Sequence, residues 1–182
     1  MNTWESTTAD WQWVMGVNLW GVIYGLRTFV PIMLVQDSEC HIVNNASVVG
    51  LTSYHPSPPY HVTKHAVVAL SENLYFSLAA TKAKVKASVL CTGWVKTRIM
   101  DADRNRPTEL QNEPGVGLMK PAALEVIKDA RQAVETAMSP QEVAGYIFQA
   151  IRNEQFYVLN HPEANSEIQT RMENILNQIN PA

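Results

Sequence analysis

The chain has 182 residues, enough for one domain with a real core and too few for two of ordinary size. Its 46% hydrophobic and 17% charged residues, with 10 Pro and 8 Gly, make a globular composition and exclude disordered, collagenous and low-complexity classes. The net charge of −3 comes without a run of five like charges, so no nucleic acid and no membrane is expected as a partner; a small molecule or another protein is.

In chain order, Thr7, Thr8 and Asp10 supply cap and first-turn residues for a helix from about 8 to 35. Its apolar positions include Trp13, Val14, Val17, Trp20, Gly21 and Tyr24. Gln12, Asn18, Arg27 and Pro31 interrupt the apolar stretch, which predicts a buried helix and not a membrane span. HIVNNAS, 41–47, reads as a strand buried on both faces, and the Pro-rich YHPSPP, 54–59, as a loop. A second helix follows from about 59 to 81, with Pro59 in its first turn. VKASVLCT, 85–92, is a second buried strand, stopped by Gly93. Residues 94–118 show no sustained period, as functional segments in compact domains often do. Helices are expected at about 121–137 and 140–153, the latter opened by Ser139, Pro140 and Glu142. FYVLN, 156–160, is a third short strand, and an amphipathic helix from about 162 to 179 closes the chain.

Buried strands alternating with helices predict an α/β fold, a parallel sheet covered on both faces. Three strands are narrow for that design, and their edges leave backbone unpaired unless further chain or a partner supplies the rest. Cys40 and Cys91 lie in strand segments without ligand-like spacing and read as reduced core residues. No signal peptide is visible in MNTWESTTADW, so the expected location is cytoplasmic.

The chemistry concentrates in YHVTK. Tyr60 and Lys64 are four apart on a helix and share a face. A phenol with an ordinary pKa near 10 needs a neighbouring cation to work at neutral pH, and a unit charge about 4 Å away at an effective dielectric of ~20 supplies roughly 4 kcal/mol. Thirteen residues before Tyr60, Ser47 stands at the C-terminal end of a strand, where open α/β sheets place their sites. Asn18, inside an otherwise apolar helix, needs a partner if buried. Gly93, Val95 and Thr97 reach the same sheet edge after the second strand.

In order and spacing, VNLWG, NNAS, YHVTK and TGWVKT make the chain resemble the short-chain dehydrogenase/reductase family, most firmly over residues 10–99. The resemblance implies a three-layer, doubly wound parallel sheet (Rossmann-like) and hydride transfer between NAD or NADP and a secondary alcohol or ketone. By it, Tyr60 is the general acid–base and Ser47 hydrogen-bonds the substrate oxygen. Lys64 holds the nicotinamide ribose and lowers the Tyr60 pKa, while Asn18 keeps a proton-relaying water. Gly93, Val95 and Thr97 belong to the cofactor side, the last two contacting the carboxamide. The family's helix pairing implies a homo-oligomer through the Asn18 and Tyr60 helices.

Two departures stand out. Thr92 occupies the place of the family's proline, and no GxGxxG or TGxxxGxG occurs, so the pyrophosphate site and the residue choosing NAD or NADP are missing. The chain therefore reads as a single partial domain, 1–182, the C-terminal catalytic part of the fold. The alternative is a catalytically silent remnant acting as an interaction module. Two other chemistries fit poorly: His61 and His65 lack the Glu of a helical zinc motif and read as helix-surface residues, and Ser47 lacks a GxSxG elbow. No metal is expected.

Overall fold

A computed structural model describes residues 2–54, 57–113 and 121–181, and the side chains of these apart from 121–123. Thr7 caps the first helix, its hydroxyl accepting from the Asp10 N–H at 3.0 Å while the Asp10 carboxylate accepts from the Thr7 N–H at 2.9 Å. That helix runs as α1 (Thr8–Met15), a π-turn (Gly16–Trp20) and α2 (Gly21–Gln36), ending on Asp37 in the left-handed conformation. Then follow β1 (Cys40–Asn45), α3 (Pro58–Ala80), β2 (Val85–Leu90), α4 (Pro121–Glu135), α5 (Pro140–Arg152), β3 (Tyr157–Val158) and α6 (Asn165–Leu176). Every expected helix and strand is present, with strands shorter than expected. The aperiodic segment folds as 3-10 turns at Ile99–Asn105 and Thr108–Leu110; its part from 114 onward lies outside the described residues, as do His55 and Pro56 of the Pro-rich loop.

The sheet is parallel, in the order β1-β2-β3, with Cys40 opposite Val85, Asn45 opposite Leu90, and Leu90 opposite Val158. Because side chains alternate along a strand, β2 feeds two cores. Val85, Ala87 and Val89, with Cys91 just beyond, pack toward α2 and α3, joined by Ala46, Val67, Val68 and Leu78. Leu90 packs with Val143, Ala150 and Val158 on the α5 side. The result is the expected parallel sheet flanked by helices, around a middle strand buried at every position but Lys86.

Two expectations fail. β1 is not buried on both faces; most of its residues are half-buried, and a groove of about 270 Å³ runs along it beside Val22, Leu26 and Phe29 of α2. The long N-terminal helix is not buried either: it is long and apolar enough to cross a membrane by length and composition alone, yet none of its most apolar window is inside the structure. The cause is common to both, since among the described residues β1 is an edge strand and α2 rests on it along one side only, leaving Tyr24, Phe29 and Val35 exposed.

Candidate active site

Beyond β1 the chain keeps pairing with β2, Ala46 N–H donating to the Leu90 carbonyl and Val48 N–H to the Thr92 carbonyl, both at 2.9 Å. This holds Ser47 extended at the strand's C-terminal end. Its hydroxyl donates to the Thr92 carbonyl at 3.2 Å and accepts from the Val49 N–H at 3.4 Å, capping a 3-10 turn over Val48–Gly50. Gly50 then meets α3 so closely that a Cβ there would lie 2.7 Å from the Lys64 carbonyl oxygen. Only glycine permits that approach, which sets the distance between the Ser47 turn and the Tyr60 helix.

Tyr60 sits in the first turn of α3, beside Ser47. Burial pushes its phenol above the ordinary 10, and the Ser47 hydroxyl acts in the opposite sense. Lys64, one turn on, places Nζ 5.6 Å from the Tyr60 ring centroid and donates to the Asn45 carbonyl at 2.9 Å. Burial pulls its pKa down from 10.5 to about 8. The expectation that Lys64 brings the phenol toward neutrality is thus not met in this chain: the ammonium is itself desolvated and turned toward a backbone carbonyl, and burial dominates at the phenol. An ammonium has three donors, and among the described residues Asn45 takes one, so two remain for ligand hydroxyls.

Asn18 lies at the centre of the π-turn, where the Gly21 N–H reaches back to the Gly16 carbonyl. Its amide donates to the Thr63 hydroxyl at 3.3 Å, and Thr63 donates to the Tyr60 carbonyl at 2.8 Å. The partner anticipated for a buried Asn is therefore Thr63, next to Lys64. Gly93 packs against the His161 ring, 2.8 Å from where a Cβ would be. Val95 bridges to Met138, and Lys96 N–H donates to the Met138 carbonyl at 2.9 Å. Thr97 accepts from the Ile99 N–H at 3.4 Å. The structure thus brings Ser47 beside Tyr60 and Lys64, ties Asn18 to the same helix through Thr63, and leaves Gly93 one residue past the Thr92 carbonyl that Ser47 binds. Val95 and Thr97 stand further along the same segment, and the Thr97 hydroxyl is turned to its own chain.

His61 and His65 are not surface residues. Each imidazole Nδ1 bonds the carbonyl one turn back, Ser57 at 3.1 Å and His61 at 3.0 Å, which leaves both Nε2 atoms buried without a partner among the described residues. Sequence reasoning missed Thr63, Gly50 and His161. Thr63 and Gly50 adjoin the named motifs, but nothing near His161 signals its packing on Gly93. Cys91 is buried beside Val67, its thiol pushed up to about 12 by burial, which is packing behaviour. Among the described residues no His, Cys, Asp or Glu group could hold a metal ion.

Known proteins share this fold and its sequence pattern. The family model of the short chain dehydrogenases matches residues 2–108, more than half of the chain. A CLA biosynthesis dehydrogenase/reductase of Lactiplantibacillus plantarum is 30% identical over 173 residues, 95% of this chain and 60% of that protein. A C alpha-dehydrogenase of Sphingobium sp. is 27% identical over 183 residues, 97% of this chain and 56% of that protein. The crystal structure of a short chain dehydrogenase/reductase from Burkholderia phymatum in complex with NAD superimposes with a TM-score of 0.93 at 41% identity, covering 99% of this chain and 63% of that one. The chain thus spans about 60% of the length of these relatives. A hydroxyl pair and an ammonium at the C-terminal edge of a parallel sheet, under a family pattern that runs through them, have one source: the chain belongs to the short chain dehydrogenase family.

Proposed function

We propose that this chain is the catalytic part of a nicotinamide-dependent oxidoreductase that interconverts a secondary alcohol and its ketone, with Tyr60 as the general acid–base. The observation that carries the reading is the placement of the Tyr60 phenol beside the Ser47 hydroxyl, with the buried Lys64 ammonium one helical turn away. The nearness of Ser47, Tyr60 and Lys64 supports an oxidoreductase over a silent interaction module.

The residues present fit one end of the cofactor. Lys64, with two uncommitted donors, and the Tyr60 face suit the nicotinamide ribose, while Gly93, Val95 and Thr97 lie on the carboxamide side. A bound nicotinamide cofactor supplies or accepts the hydride. In ketone reduction the Tyr60 hydroxyl gives its proton to the carbonyl oxygen; in oxidation the phenolate takes the proton of the alcohol. Ser47 donates a hydrogen bond to that same oxygen, exchanging the Thr92 carbonyl for it. Lys64, its pKa pulled down to about 8 by burial, stands one helical turn from the phenol, and its part in assisting the phenolate depends on the cofactor-bound site. Asn18, bonded to Thr63, holds the helix face on which a relaying water would stand.

NAD is the first cofactor to test, since the Burkholderia phymatum relative holds it. The free edge of β1 and its groove support the view that 1–182 is one part of a wider domain. The exposed apolar residues of α2 and α3, Tyr24, Phe29 and Phe76 among them, support homo-oligomerisation through these helices. Mass that stays constant by light scattering across a tenfold dilution at the value of a monomer would exclude it. The free cysteines fit a reducing, cytoplasmic setting.

Tyr60→Phe keeps the packing and removes the proton. In a protein in which this chain is joined to a glycine-rich cofactor-binding half, turnover of secondary alcohols with NAD should fall by about 10²- to 10⁴-fold with folding unchanged. Full turnover in this variant would remove Tyr60 from the mechanism.

A further inference from the structure

The Ser47 hydroxyl rests on the Thr92 carbonyl at 3.2 Å, and the same carbonyl accepts from the Val48 N–H at 2.9 Å. A hydroxyl has one proton to donate. The place of this carbonyl therefore decides whether the Ser47 hydrogen stays on the backbone or turns toward the Tyr60 phenol, on which the hydroxyl bears. The carbonyl belongs to the planar Thr92–Gly93 peptide, and a glycine on one side leaves such a peptide free to rotate. The Gly93 backbone lies outside the left-handed region, so its own conformation does not call for glycine.

What calls for glycine is His161. Its ring atoms Cγ, Cδ2 and Nδ1 lie 2.8, 2.9 and 3.0 Å from where a Gly93 Cβ would stand, which seats the imidazole broadside on this residue. The ring is itself held. Its Nδ1 donates to the Glu163 carboxylate at 2.7 Å, and the His161 carbonyl accepts from the Ala164 N–H at 3.0 Å. The preceding residue, Asn160, is 2% exposed and donates from its amide to the Met138 sulfur at 3.5 Å, on the α5 side of the sheet. The His161 Nε2 is buried without a partner among the described residues, so the ring is aimed from Nδ1 alone. A ring aimed in this way, on the one permissive residue next to the carbonyl, removes the rotation that glycine would allow.

We infer that His161, aimed by Glu163, is a positioning residue of the site: seated on Gly93, it fixes the Thr92 carbonyl and with it the direction in which the Ser47 hydroxyl donates. This deepens the oxidoreductase reading and takes its catalytic meaning from it, but its test needs no turnover. In the chain carrying tyrosine labelled with carbon-13 at Cζ, the Tyr60 resonance, assigned with Tyr60→Phe, reports the hydrogen bonding of the phenol. His161→Ala should move it by more than its linewidth, while Tyr24 on α2 and Tyr146 on α5 stay in place. In a Ser47→Ala background the same substitution should leave it still. Gly93→Ala presses on the ring from the other side and should also move it, and Gly93→Ala with His161→Ala should bring it back toward the parent's position. A parental Tyr60 resonance in both single variants, or a displacement as large without the Ser47 hydroxyl as with it, would overturn the inference. Should His161→Ala fail to fold, Gly93→Ala with and without Ser47→Ala decides. Joined to a glycine-rich cofactor-binding half, a chain with the expected shifts that oxidises no alcohol would retain the inference and sink the oxidoreductase reading. One that turns over alcohols while Tyr60 ignores both substitutions would do the reverse.

Discussion

Gly50→Ala tests the contact that sets the site's width. A Cβ at this position would lie 2.7 Å from the Lys64 carbonyl oxygen and 2.9 Å from Val68 Cγ2. The first of these is backbone in the middle of a helix and cannot rotate away. Reaching an ordinary 3.4 Å contact requires the turn and the helix to part by about 0.7 Å. Overpacking of this kind costs about 1–3 kcal/mol, which for a chain of this length lowers Tm by about 2–12 °C. The same displacement carries Ser47, three residues away, from Tyr60. Since a misplacement of about 1 Å can cost ~10²-fold in rate, kcat should drop by about tenfold or more. Gly145→Ala is the internal control. Gly145 lies inside α5 with nothing within 4 Å of its would-be Cβ, so alanine should stabilise by about 0.5–1 kcal/mol through helix propensity alone. Calorimetric Tm values and steady-state kinetics on the two variants decide the matter. Equal Tm values for Gly50→Ala and the parent would refute the argument that this contact is closed to a methyl group.

Two further predictions concern stability. Arg106 and Asp10 form an ion pair at 2.8 Å with side chains only 9% and 13% exposed, supported by Asn112 and by the Trp13 ring under the guanidinium. Arg106→Ala leaves Asp10 poorly solvated and should cost about 3 kcal/mol, with Asp10→Asn in the same chain recovering part of it; additive losses in urea unfolding would mean the pair is uncoupled. Acid sensitivity should begin near His65, whose pKa burial lowers from 6.5, the adjacent Arg171 acting in the same sense. A folded pKa below the unfolded one means that the unfolded chain takes the proton more readily, so this stabilisation is complete above about 6.5 and lost as pH falls through the folded value. His65→Gln should flatten the Tm-versus-pH curve between pH 6.5 and 5, and an unchanged slope would place the acid sensitivity elsewhere. Asp10 acts lower: burial tends to raise its pKa, but the Thr7 N–H, Asn112 and Arg106 together hold it below 3.8, so its contribution persists above that value and fades below it.

Local signals in this chain were legible because they depend on neighbours in sequence. Thr7 with Asp10 and Ser139 with Glu142 form the capping boxes that start two helices, and the four-residue spacing of Tyr60 and Lys64 puts them on one helix face. Ser47 at the end of a strand follows from the same kind of evidence. Burial is a different matter, because it depends on what lies across space. HIVNN looks like a fully buried strand, yet with β2 on one side only it is an edge, and the apolar α2 has one neighbour layer where its composition suggests two. His61 and His65 look like surface residues until their rings turn back onto α3's own carbonyls. The pairing of Asp10 with Arg106, 96 positions apart, and of Gly93 with His161 carries no sequence signature. So the order of elements and the candidate side chains of the site, Ser47, Tyr60 and Lys64, were legible in the sequence itself. The sign of the Tyr60 shift, the reach of Lys64 to Asn45 and the closeness of Ser47 to α3 were decided by tertiary structure, since desolvation and contact distance arise only when distant segments exclude water from one another.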